Sequence, residues 1–154
     1  MEKLFFDSGI QEFQINNAGV LRFNPSDPNL FNRFLSAKDQ LERIEARLVE
    51  RGAALSAEQN RDAGEESVRL MAEADKEVKA VLTDVFGREN DFDQIMSGVN
   101  MMAIGNNGER VLTNLLGALT PVLVAGAERC AKQRISEATV AAREARARRQ
   151  DDQS

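Results

Sequence analysis

Histidine, tryptophan and tyrosine are absent from this chain of 154 residues, and cysteine occurs once, at Cys130. Each absence removes a chemistry. Without histidine no side chain is poised to exchange protons near neutral pH, and neither a Ser-His nor a Cys-His nucleophile pair can form. Zinc sites of the Cys/His kind are excluded. A single cysteine permits no intrachain disulfide and fits a reducing, cytoplasmic setting. The opening MEKLFFDSGI is acidic and lacks both a basic n-region and an apolar h-region, so no secretory signal is expected. The one long stretch without charge, Val111 to Ala127, contains Asn114, Gly117, Thr120 and Pro121 and is too short and too polar for a membrane span. A net charge of −5 argues against broad nucleic-acid binding. Carboxylates are the only catalytic groups left, no cofactor is implied, and the composition points to a soluble, mostly helical protein that is not an enzyme.

What is present reads as a mainly α fold, taken as a single mostly helical domain over residues 1–137 with a tail at 138–154. Residues 1–24 hold short aromatic or β-branched runs, Glu12–Ile15 and Val20–Phe23, separated by Asn16-Asn17-Ala18-Gly19, residue types that tolerate a hairpin turn. A third strand at residues 3–6 (Leu4-Phe5-Phe6 at its centre) is a further candidate. Five of the eight phenylalanines precede residue 32, so the hairpin is expected to pack on a helix. Asp27 as cap and Pro28 at the first helical position then open a helix expected over 27–51, with an apolar stripe at Leu30, Phe34, Ala37, Leu41, Ile44 and Leu48 and a stop at Gly52. Ser56-Ala57-Glu58-Gln59 has the form of a capping box for a second helix over 56–86, its apolar positions Val68, Met71, Val78, Leu82, Val85 and Phe86 closed by Gly87. Two long helices joined by a short loop make an antiparallel helical hairpin. A short helix at 91–97 and a C-terminal apolar helix over 107–137, capped by Asn107 and kinked at Pro121, complete the set, and the Ala/Arg-rich tail is expected to be a fraying helix or disordered.

The carboxylates are candidates for a magnesium site, since all-helical pyrophosphohydrolases use an ExxE and an ExxD pair on facing helices. Glu42 and Glu45 supply the first pair, but Glu73, Asp75 and Glu77 lie two and four apart and do not complete the second. A salt-bridged face with Arg43, Arg47, Lys76 and Lys79 is the better account. Glu89, Asp91 and Asp93 fail the spacing of a calcium loop, because Ile95 and Met96 stand where a ligand and a glycine are needed. Gly105-Asn106-Asn107-Gly108 precedes a helix but follows no strand and lacks a Gly-Lys-Ser/Thr, so it is a poor phosphate loop. Arg143, Arg146, Arg148 and Arg149 make residues 127–154 net +2 against −7 for residues 1–126, without aromatics for base stacking, so a nucleic-acid role is disfavoured.

The remaining signal is hydrophobic. Met96, Met101 and Met102 fall within seven residues, followed by Ile104 and then Leu112, Leu115, Leu116 and Leu119, more apolar content than a one-sided helix needs. Methionine adapts to irregular neighbours, so these eight residues are the candidate partner-binding surface, with core filling as the competing account.

At these residues the chain resembles a family of small proteins from phage and prophage tail modules. The likeness runs from Phe23-Asn24-Pro25-Ser26-Asp27-Pro28 after the hairpin, through Asp75-Lys76-Glu77-Val78 to Phe86-Gly87, then Ile95 to Ala103, and finally Gly108 and the apolar helix from Leu112 to Leu123. It covers residues 1–125, and departs from the pattern at Met101-Met102 and Thr120-Pro121. The resemblance implies a tail assembly chaperone, acting in the bacterial cytoplasm, that coats the helical tape-measure protein before the tail tube polymerises. Its implied partners are that protein, possibly the major tail protein, and further copies of itself, with no membrane. The alternative is a structural tail or head-tail component of the virion, and an all-α metal-dependent pyrophosphohydrolase is a distant third.

Overall fold

The computed structural model describes residues 1–58 and 62–153. Its elements in chain order are strands β1 (Gln11–Ile15) and β2 (Gly19–Phe23) and helices α1 (Pro28–Glu58), α2 (Asp62–Phe86), α3 (Phe92–Ile95) and α4 (Val111–Gln153). The architecture is the expected one: an N-terminal β-hairpin, two long packed helices and a long C-terminal helix.

The hairpin turns at Asn16 and Asn17, both at positive φ, 56° and 101°, and Ala18 N–H closes it on the Ile15 carbonyl at 3.0 Å. Its register sets Phe13 opposite Leu21 and Glu12 opposite Arg22, which form an ion pair of 3.1 Å. The apolar face of the hairpin then meets the end of the helical pair through a run of rings. Phe13 stacks on Phe23 at 4.7 Å, Phe23 meets Phe86 edge-on at 5.0 Å, and Phe86 reaches Phe92 at 5.7 Å. The expected third strand does not form: residues 1–10 have no regular structure, and Leu4, Phe5 and Phe6 are exposed.

Helix α1 starts as its sequence signals, with the Asp27 carboxylate accepting the Asn29 N–H at 2.9 Å. Its buried residues, Leu30, Phe34, Ala37, Leu41 and Ile44, are the predicted stripe, and Leu48 packs at its edge. Pairing of Arg33 Nε with the Val85 carbonyl (2.9 Å) and of Arg47 with Glu77 fixes the antiparallel sense of α1 and α2. Two boundaries differ from the sequence reading. Gly52 does not stop α1, which continues to Glu58, and Ser56 is inside that helix rather than capping the next, its hydroxyl donating to the Gly52 carbonyl at 3.0 Å. Gln59 and Asn60 lie outside the described residues. Val68 belongs to α2 but is exposed, and Ala74 takes a core position instead. Gly87 ends α2 at φ 113°, as expected.

The short helix is one turn, Phe92–Ile95, capped by the Asp91 carboxylate, which accepts the N–H groups of Asp93 and Gln94. Helix α4 begins at Val111, later than the expected 107. Asn107 is not its cap: the side chain accepts the Glu109 N–H at 3.1 Å and pairs with Asn114. From there α4 runs as one element through Pro121 to Gln153, so the tail at 138–153 is helical. Gly126 brings it against the turn before α1, where a Cβ would overlap the Pro25 carbonyl. By length and composition α4 contains a stretch apolar enough to cross a membrane; Leu112, Leu115, Leu119 and Leu123 are buried in the core of this fold, while most of the stretch is not buried.

Candidate functional site

The eight residues picked out as a partner-binding surface do not share a single exposed face. Met101 and Met102 have 0% exposure, and Met96, Leu112, Leu115 and Leu119 join them in the core. Leu116 is half-buried, and Ile104 is 61% exposed on the loop before α4. Two of the eight, Met96 and Leu115, come together at the wall of an open groove of about 530 Å³, with Ile15, Ile95, Val99 and Val111. Asn16 and Ala18 of the hairpin tip stand on one side of this groove, and Asn114 and Ala118 of α4 on the other. In a chain that is 29% charged, no charged residue lines it among the described residues. The volume is that of an ordinary ligand or peptide pocket, which is mostly apolar with a few polar groups to orient the guest.

Three local devices hold the groove open. Gly19, at the start of β2, lies so close to Ile95 that a Cβ would collide with its backbone, which seats the hairpin tip against α3. Asn90, 2% exposed, acts as a substitute strand partner for Arg22. Its Oδ1 accepts the Arg22 N–H at 2.9 Å, and its Nδ2 donates to the carbonyls of Arg22 and Phe86, both at 2.9 Å. A two-stranded sheet is marginal alone, so this side chain and the phenylalanine run are what fasten it. The loop between Met96 and Val111 is tied down in turn. Leu112 and Val111 donate back to the Met101 and Ala103 carbonyls at 2.9 and 2.8 Å, and Ile104 bridges to Arg110.

The third device uses the carboxylates that the sequence offered as metal ligands. Asp75 accepts the Met101 N–H on Oδ1 at 2.7 Å and the Lys79 ammonium on Oδ2 at 2.9 Å, and Lys79 also reaches Asp93 at 2.7 Å. One buried lysine thus joins α2, α3 and, through Asp75, the methionine loop. Burial pushes the Lys79 ammonium toward deprotonation, but the hydrogen bonds and charges of Asp93 and Asp75 outweigh it and hold its pKa above the usual 10.5. Glu77 pairs with Arg47, and Glu45 accepts from Arg110 at 3.2 Å, so three of the five candidate ligands face a cation. Among the described residues, no three acidic, histidine or cysteine side chains are grouped to hold a metal ion.

The groove was legible only in part. Its walls come from three places in the chain, the hairpin tip, residues 95–99 and the start of α4, and no local pattern says that these meet. Asn90 and Asp75 were missed as organisers because their partners are 68 and 26 residues away. The chain matches no protein-family model, no curated protein and no solved structure.

Proposed function

We propose that this protein is a non-catalytic binding protein, a phage tail assembly chaperone whose client is the tape-measure protein. The observation that supports this reading is the uncharged groove between the hairpin tip, residues 95–99 and α4. A long helical client presents apolar side chains at i, i+3, i+4 and i+7, and a groove with aliphatic walls and neutral amides at its rim accepts such a stripe without desolvating a charge. Met96 in the wall gives the adaptability that an imperfectly repeating client requires. The ion pairs of Asp75, Glu77 and Glu45 also weigh against the pyrophosphohydrolase alternative, because a magnesium ion would have to displace a lysine or arginine from each. A client-binding role is further consistent with a bacterial cytoplasmic setting and with self-association between client encounters.

The structural-component alternative draws on a different observation, the end of α4. Every residue from Ala131 to Asp152 is exposed except the half-buried Ala145, which is what a helix used for lasting contacts in an assembly looks like before assembly. Co-expression with the tape-measure protein of the same phage separates the two. Ala118→Arg places a charge on the exposed groove rim without touching the core. Under the chaperone reading the parent keeps the client soluble, and the variant, with unchanged helical circular dichroism, does not. A parent that never binds the client ends that reading and leaves the structural component in its place.

A further inference from the structure

The segment before the hairpin is the least explained part of the molecule. Leu4, Phe5 and Phe6 are 88%, 89% and 83% exposed, three large apolar side chains in a row with nothing over them. Scattered exposed hydrophobics need no explanation, but a contiguous triplet does. The base of the segment is nevertheless fixed. Asp7 accepts the Gly9 N–H at 2.8 Å, and Asn24 Nδ2 donates to the Ser8 carbonyl at 3.1 Å, so residues 7–9 form a turn fastened beside the end of β2. An exposed apolar triplet on an anchored base and an open apolar groove occur on the same chain.

We infer that residues 1–7 dock into the groove of a second copy of this chain, with Leu4, Phe5 and Phe6 covering Ile15, Val99, Val111 and Ala118. The chain's own groove is a poor destination on geometric grounds. Its hairpin wall reaches the tip at Ala18, six residues of chain away from the anchor at Asn24, or about 20 Å at 3.3 Å per residue. A segment folding back from Ser8 would spend about six residues covering that distance, leaving Leu4, Phe5 and Phe6 alongside the hairpin instead of in the groove. A second copy imposes no such limit. The area is also sufficient. Two phenylalanines and a leucine bring roughly 500 Å² of surface, the groove wall adds a smaller area, and a reciprocal exchange doubles both. The total, roughly 1,300 Å², falls at the lower end of the range of stable interfaces. The segment carries Glu2, Lys3 and Asp7 only at its two ends, so no charge need enter the groove.

This inference shares the groove with the proposed function but does not depend on which client uses it. If both hold, the segment is a removable cover, and client binding competes with self-association.

The test is the oligomeric state of the full chain, measured by sedimentation with and without two variants that spare the core. The parent is expected to self-associate. Phe5→Asp/Phe6→Asp on the segment, and Ala118→Arg on the groove, should each weaken association at least about a hundredfold with unchanged helical circular dichroism. Mixing the two variants should restore one-way pairing, because one supplies an intact groove and the other an intact segment. In a Cys130→Ser background, Phe6→Cys and Ala118→Cys on separate chains should form an intermolecular disulfide on mixing. A parent that stays monomeric overturns the inference. So does a disulfide confined to single chains when both cysteines are on one, which would make the chain's own segment the occupant. Association that survives both variants places the contact elsewhere and also overturns it. The client experiment reads independently: self-association by this route without client binding keeps the inference and removes the chaperone reading.

Discussion

The two parts of α4 are one helix with opposite fates. Up to Gly126 its core face reads Leu112, Leu115, Leu119, Leu123 and Gly126, spaced three or four apart, and all are buried. The same face continued toward the C-terminus reads Cys130, Gln133, Glu137, Val140 and Glu144. The backbone does not change, but the unbroken apolar stripe that attaches it to the body gives way to a mostly polar one, and the helix leaves the body where that happens. Beyond that point its stability rests on alanine content and i,i+4 pairs such as Arg148 with Glu144 at 3.8 Å. The comparison separates two causes of helicity that are usually confounded, intrinsic propensity and tertiary burial.

The sharpest way to break the packed part is Gly126→Ala. The new methyl group would overlap the Pro25 carbonyl, a backbone atom that cannot rotate away, so α4 must shift or the turn before α1 must open. A loss of at least about 3 kcal/mol is expected in denaturant unfolding. Leu119→Ala, on the same face, should lose about 3 kcal/mol through the cavity it leaves. Losses under 1 kcal/mol at both positions would mean that this part of α4 is not docked.

The next effect in size concerns the lysine knot beneath the methionine loop. Asp75→Ala removes one of two carboxylates from Lys79 and leaves the Met101 N–H without its acceptor. Asp93 remains to hold the ammonium, so about 2 kcal/mol is expected, less than for a fully stranded buried charge. The pH dependence has a definite sign. The folded pKa of Lys79 is raised, so its contribution is complete below the unfolded value near 10.5 and is lost as pH rises through the folded value. With no tyrosine in the chain, no phenol adds to the alkaline pH dependence, which makes the effect readable. The parent should lose more stability than Lys79→Met on going from pH 9 to pH 11. Parallel profiles would show that the knot is not linked to folding.

Local signals in the sequence were enough for most of the scaffold. Two asparagines set the hairpin turn, Asp27-Pro28 set the start of α1, the seven-residue rhythm from Leu30 set its buried face, and Gly87 set the end of α2, because each acts on its own neighbours. Boundaries failed where one local signal has two outcomes. A serine hydroxyl near a glycine can cap a new helix or bond back to a carbonyl of the old one, and Ser56 does the second. Leu4-Phe5-Phe6 has strand composition, but a strand needs a partner strand, and composition does not say whether one is present. The site was less legible than the scaffold. Methionine content marked the right region, yet it could not distinguish Met101 and Met102, which fill the core, from Met96, whose edge reaches the groove.

The smallest effects belong to the projecting part of α4, and they test the comparison from its other side. Arg146→Ala or Arg148→Ala should each change global stability by less than about 0.5 kcal/mol, as exposed charges generally do. Ala138→Gly/Ala142→Gly is more informative. Each glycine costs about 1 kcal/mol of helix propensity, and no tertiary contact is there to offset it, so the end of the helix should melt locally. Far-UV circular dichroism should then fall while the midpoint of global unfolding stays within about 2 °C of the parent, because that transition reports the packed body. The same double glycine change placed in the buried part of α4 would lower both together. A lower midpoint from the C-terminal variant would show that residues 131–153 are covered in solution, and that the polarity of their core-side face does not decide where this helix stops being held.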